Sequence, residues 1–112
     1  MVKILNSFPE NMAKRDAYKL TRAQSTLKMQ EAAGEVLTPS AWVLYETTDA
    51  KTGETKTVLV IESNGVIYGT ISNTFIREFS NAAEEFNNDV GAIRVIEGNT
   101  KAGRTYITCE LA

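Results

Sequence analysis

Asn64-Gly65 constrains this chain more than any other pair of its residues. Asn-Gly is the dipeptide that best accepts the left-handed backbone of a tight two-residue hairpin turn. Here it separates two β-rich runs. Before it, over residues 54–62, Thr57, Leu59 and Ile61 alternate with Lys56, Val58 and Val60; after it, residues 66–71 form a short apolar segment. The pattern predicts two antiparallel strands joined at this pair. An aromatic and β-branched run at 40–48, Ser-Ala-Trp-Val-Leu-Tyr-Glu-Thr-Thr, predicts another strand, linked to the first of these by the Gly-ended loop at 49–53.

Downstream the period changes. Ser72-Asn73-Thr74 supplies helix caps, and Phe75, Phe79, Ala82, Ala83 and Phe86 fall on one face of a helix over 73–87. So regular a stripe predicts packing against a sheet rather than base stacking. Strands are expected at 90–97 and 104–111, around a loop at 98–103. In the last strand Thr105, Ile107, Cys109 and Leu111 are expected inside, with Cys109 a small core residue. Arg104, Tyr106, Thr108 and Glu110 are expected outside. Upstream, residues 23–33 read as a first strand ending in a turn at Ala33-Gly34-Glu35. Residues 1–22 read as a basic N-terminal arm with one or two helical turns after Pro9. The expected fold is mainly β: a five-stranded oligonucleotide/oligosaccharide-binding (OB) barrel over 23–112, with one helix between strands three and four. Small α+β sheets share this element order.

Composition narrows the chemistry. The chain has no histidine and a single cysteine, which excludes His-dependent nucleophilic catalysis, an internal disulfide and Cys-rich metal sites. Glu84 and Glu85 diverge by about 100° on a helix, and no phosphate-binding glycine motif occurs. A non-enzymatic protein without cofactor or metal is expected. Its longest apolar run is residues 58–61, and residues 1–7 lack the apolar core of a signal peptide. A soluble protein of a reducing host-cell cytoplasm is therefore expected, with no membrane partner.

The net charge of −2 argues against a nucleic-acid partner, but it is unevenly distributed. Residues 1–30 carry six cations against Glu10 and Asp16, a local +4; residues 31–89 carry three cations and ten carboxylates, a local −7; residues 90–112 carry +1. A near-neutral total thus hides basic ends. Binding a single nucleic-acid strand needs cations along phosphates and flat rings under bases. The candidates are Tyr106 and Arg104 on the outer side of the last strand, Lys101 in its preceding loop, Arg94, Lys56, Lys28, and Tyr68 just after the Asn-Gly turn. Trp42 and Tyr45 lie an odd number apart, so they face opposite ways in a regular strand. One is expected in the core, and the pattern leaves open which.

The segment from Val58 to Leu111 resembles the small single-stranded DNA-binding proteins of tailed phages of Gram-positive bacteria, including those of the protein-primed Bacillus phages. The residues that carry the resemblance are the stretch at 64–74, Asn-Gly-Val-Ile-Tyr-Gly-Thr-Ile-Ser-Asn-Thr, and the block from Ile93 to Arg104 with its Gly-Asn-Thr-Lys-Ala-Gly loop. The resemblance implies an OB barrel that coats unwound DNA during phage replication, largely regardless of sequence. It implies DNA contacts at Tyr68, Lys101 and Arg104, and places Trp42 near a family aromatic. The basic arm at 14–22 has no clear counterpart there. The chain also closes on Glu110-Leu111-Ala112 just after a strand, so recruitment through an acidic tail is not expected. Expected partners are single-stranded DNA, phage replication proteins and further copies of the chain along DNA. The rival reading is a phage-encoded interaction module that docks its acidic middle onto a host protein.

Overall fold

The computed structural model of the chain describes residues 2–10, 12–22 and 26–112. The boundary drawn after residue 22 and the first three residues of the expected strand at 23–33 touch or fall outside that set. In chain order the elements are β1 (Val2–Phe8), α1 (Lys14–Thr21), β2 (Leu27–Lys28), a single 3-10 turn (Met29–Ala32), β3 (Val36–Leu37), β4 (Pro39–Thr48), β5 (Thr55–Ser63), β6 (Val66–Thr70), α2 (Asn73–Glu85), β7 (Ile93–Asn99) and β8 (Thr105–Leu111).

Strands β1-β4-β5-β6-β2 form one sheet in that order, and β3-β7-β8 form a second. The Asn-Gly hairpin is built as its chemistry requires. Asn64 and Gly65 have φ of 51° and 78°, and β5 pairs antiparallel with β6 from Ser63↔Val66 onwards. Only Thr38 separates β3 from β4, so one stretch of chain serves both sheets. The Thr38 N–H donates to Ser63 Oγ at 3.0 Å across this bend. At the opposite side β2 and β8 share no ladder among the described residues. The fold is mainly β, but its sheets do not close into the expected five-stranded barrel.

Two further expectations are corrected. The N-terminal segment is not an arm. Residues 2–8 pair antiparallel with β4, and the register shifts between Ile4 and Asn6. That irregularity breaks the two-residue alternation by which a strand is read from sequence. The stretch at 23–33 is not one strand either. After the two residues of β2 the chain turns through 3-10 geometry, which buries Met29 and Ala32, three apart, on one side.

Strands β4 and β5 are covered on both faces. Trp42, Leu59 and Ile61 point towards α2, where Phe75 and Phe79 meet them together with Val95 and Ile107 of the second sheet. Val43, Tyr45 and Val60 point the other way, beneath Leu20 of α1. Trp42 and Tyr45 do face opposite sides, yet both are buried, at 1% and 8% exposure. The expectation that only one is core fails because the strand has no solvent face. On α2, Phe75, Phe79 and Ala83 are buried as the periodicity requires, but Phe86 caps the helix and is exposed.

Two buried acids give this core a pH dependence. Burial pushes the Cys109 thiol up to about 12, with Glu78 adding to the shift. Burial also raises the Tyr45 hydroxyl above its ordinary value, against an opposing pull from Arg22. A raised folded-state pKa contributes stability that is fully present below the unfolded value and is lost as pH rises through the folded one. Stability should therefore hold up to about pH 9, then fall towards pH 12, by at most about 1.4 kcal/mol per pH unit per group. Urea midpoints measured across that range for the parent and Cys109→Ala check this; the variant should show the shallower fall. Iodoacetamide should label Cys109 in urea and spare it in buffer.

Candidate nucleic-acid interface

The open seam between the sheets forms a groove of about 600 Å3, lined by residues 26–30, 69–72 and 105–107 and by Val58. Strand β2 and the 3-10 turn make one wall. β8 makes the other, and the end of β6 closes the floor between them. Met29, Val58 and Ile107 make much of the lining apolar. Ser72 spans the seam at the α2 end. Its hydroxyl donates to the Ile107 carbonyl at 3.2 Å, and the same oxygen caps α2 by accepting from the Phe75 N–H at 3.3 Å.

Among the described residues β8 pairs with β7 on one side only. Thr100 N donates to Arg104 O at 2.8 Å, and Ala112 N donates to Ala92 O at 3.0 Å. These two bonds fix the alternation: the even-numbered residues of β8 bond towards β7, so the main-chain groups of Thr105 and Ile107 face the groove. The wall thus offers backbone donors and acceptors above an apolar floor.

Tyr106 stands at the rim. It is 39% exposed and lies directly across the ladder from Gly98. A Cβ on Gly98 would come within 2.5–2.9 Å of the ring's Cζ, Oη and Cε1, so the glycine leaves the space over β7 that the far end of the ring occupies. This makes Gly98→Ala a probe of ring placement. The obstructing atoms are the far end of a side chain, and Gly98 needs no left-handed backbone. The variant should melt within a few degrees of the parent while binding at the groove falls severalfold. A thermal scan beside an oligonucleotide titration checks both halves.

Lys28 is the one charged side chain among the described lining residues, and no carboxylate is among them. The Lys28 N–H donates to the Glu31 carboxylate at 2.9 Å, which steadies the turn that follows. Of the other residues expected at a binding site, Arg104 directly precedes the wall residue Thr105 and is exposed. Lys56 is exposed two residues before Val58, on the same side of β5 and about 7 Å along it. Lys101 sits in a loop closed by Gly103 N donating to Thr100 O at 3.0 Å.

Three expected residues lie elsewhere. Trp42 is sealed in the core and its indole N–H donates to Asn88 O at 3.0 Å, so neither ring face is open to a base. Tyr68 pairs with Ile61 and packs against the main core from its half-buried position. Arg94 shares Tyr106's side of the second sheet but lies four residues along from Gly98, opposite Glu110. Met29, Ile71 and Ser72 belong to the groove and were not singled out from sequence. Only the helix-cap signal at Ser72 pointed near it.

Comparison with protein families, curated proteins and solved structures gave no match to this chain. Among the described residues no three His, Cys, Asp or Glu side chains gather to hold a metal, and no helix is long and apolar enough to cross a membrane.

Proposed function

We propose that the chain binds single-stranded DNA in the open seam between its two sheets, largely without regard to sequence. The observation that carries this reading is the groove lining itself: an apolar floor, the half-exposed Tyr106 on its β8 wall, and Lys28 as the one described charge. Bases present apolar faces to such a floor, and phosphates favour a wall with a cation and no carboxylate. The fold reading that accompanies it is an oligonucleotide-binding architecture left open between β2 and β8. A role in coating DNA during phage replication, in the host cytoplasm and beside other replication proteins, goes with the sequence resemblance and is part of the same proposal.

The test is a titration of a labelled oligothymidylate at several salt concentrations, with a duplex of equal length as control. Single strands should bind more tightly than duplex. Log affinity should fall linearly with log salt at about 0.7 per phosphate neutralised. Trp42 is the chain's single tryptophan, and it is buried away from the groove. Binding should therefore leave its fluorescence nearly unquenched, so the label has to be on the DNA. No binding at low salt would overturn the reading.

One observation favours the rival reading of a protein-interaction module. α2 exposes Glu84 and Glu85, followed by Asp89, and a further carboxylate, Glu78, that pairs with Arg77 at 3.9 Å. A stoichiometric host protein captured after nuclease treatment, together with no oligonucleotide binding, would favour that module instead.

A further inference from the structure

The helical turns expected after Pro9 form as α1, packed on the sheet through Leu20 rather than carried on an arm, and the groove does not use them. Leu20 of α1 packs on Val43, Tyr45 and Val60, which sets the opposite side of the helix towards solvent. Lys14, Tyr18 and Arg22 follow one another at four-residue intervals and are exposed, as is Arg15 beside them. Tyr18 is 62% exposed, and the Arg22 guanidinium lies 5.0 Å from its ring centre. The acidic residue of the helix, Asp16, is turned to another side, where with Glu62 it lines a separate hollow. The solvent side of α1 therefore presents three cations and an aromatic ring along about 12 Å.

This face adjoins the groove. Arg22 is only four residues before the wall residue Thr26, a reach of at most about 14 Å. Val58, a lining residue of the groove, packs against the cluster of Leu20, Val43, Tyr45 and Val60 beneath α1, and Tyr45 pairs with it across the ladder. The N-terminal end of α1 lies at the far side, towards Ala41 and Glu62. The order from the groove outwards is thus Arg22, Tyr18, then Lys14 and Arg15.

We infer that a single DNA strand leaving the groove continues over the outward side of α1, with phosphates against Arg22, Lys14 and Arg15 and a base against Tyr18. The inference rests on the groove reading and extends its footprint. It gives the helix a binding role beside its packing through Leu20, because the cations and the exposed ring lie on the side turned away from the cluster that Leu20 joins.

The test compares oligothymidylates of about four and about twelve nucleotides, a span typical of small single-strand-binding domains. It uses the parent, the double variant Lys14→Gln/Arg15→Gln, Tyr18→Ala and Tyr106→Ala, each checked by circular dichroism. The α1 variants should bind the short strand as the parent does. On the long strand they should lose about tenfold or more in affinity, and the double variant's salt slope should drop by about 1.4, for two phosphates released. Tyr106→Ala should weaken both lengths. If the α1 variants match the parent on the long strand, the inference is overturned while the groove reading stands. If the parent does not bind the short strand at low salt, the groove reading fails and the inference with it. If the variants change self-association without DNA, seen by light scattering, the face joins copies of the chain and the inference is likewise overturned.

Discussion

Trp42→Ala is expected to destabilise the protein by about 3–5 kcal/mol, which for a domain of this size is a large part of its total stability. Three losses combine. The indole is 1% exposed and is the bulkiest of the fully buried side chains, so its removal leaves a large cavity in the main core. Its ring meets Phe79 edge to face at 5.1 Å between centroids, and that contact ties β4 to α2. Its N–H donates to the Asn88 carbonyl, and Asn88 also holds β1: its amide donates to Asn6 Oδ1 at 2.8 Å and to Ser7 O at 3.1 Å. Asn88 sits at φ 71°, a left-handed backbone that asparagine tolerates better than most residues. Trp42→Phe keeps much of the volume but strands the carbonyl, so a smaller loss of about 1–3 kcal/mol is expected. Urea unfolding followed by circular dichroism measures both, since either change removes the fluorescent reporter. A Trp42→Ala loss under 1 kcal/mol would show that the ring is not the keystone of this core.

Tyr106→Ala carries the largest expected effect on binding. A base stacked on an aromatic ring is worth about 1–3 kcal/mol, so the variant should bind single strands about 5- to 150-fold more weakly. Its melting should move little, because the ring lies on a surface and the backbone beneath it is glycine. The distinguishing readout is salt dependence. Removing a stacking ring should leave the slope of log affinity against log salt unchanged, whereas Lys28→Gln should lower it by about 0.7 with a smaller loss of affinity. Fluorescence anisotropy at three or more salt concentrations separates the two. Equal affinity of Tyr106→Ala and the parent would remove the ring from the site, even if the chain binds DNA.

The elements most legible in the sequence were those whose signals are local. Asn64-Gly65 forces a left-handed turn wherever it stands between strands, so the β5–β6 hairpin follows from the residues themselves. Ser72 and the Phe75, Phe79, Ala83 stripe locate α2 because capping and a 3.6-residue period need no partner to be read. In β8 the alternation locates Ile107 and Cys109 inside, but Thr105 and Leu111, expected with them, are exposed at the two ends of the strand, where no neighbouring element among the described residues covers them. What failed to be legible depended on distant chain. β1 was hidden because its irregular pairing with β4 breaks the alternation that marks a strand. Tyr45 and Trp42 could not be sorted because alternation distinguishes two faces but cannot tell that both are covered. Trp42 reads as a stacking candidate for that reason, and Tyr68 because its stretch after the Asn-Gly turn resembles a phage motif.

The site shows the same division. Tyr106, Lys28 and Arg104 were named from strand position and side-chain chemistry, and they stand in or beside the groove. The groove itself was not foreseeable. It exists because β2 and β8, nearly eighty residues apart, come to face each other without pairing, and because Met29 and Ile71 line the space between. By itself the sequence determined the hairpins, the helix face and the uneven charge, since each is set by neighbours within a few residues. Only the tertiary structure decided which aromatics are buried, that the helix of the basic segment packs on the sheet, and where the two sheets leave a seam. Those outcomes depend on which surfaces meet across the chain, and apolar burial is blind to sequence distance.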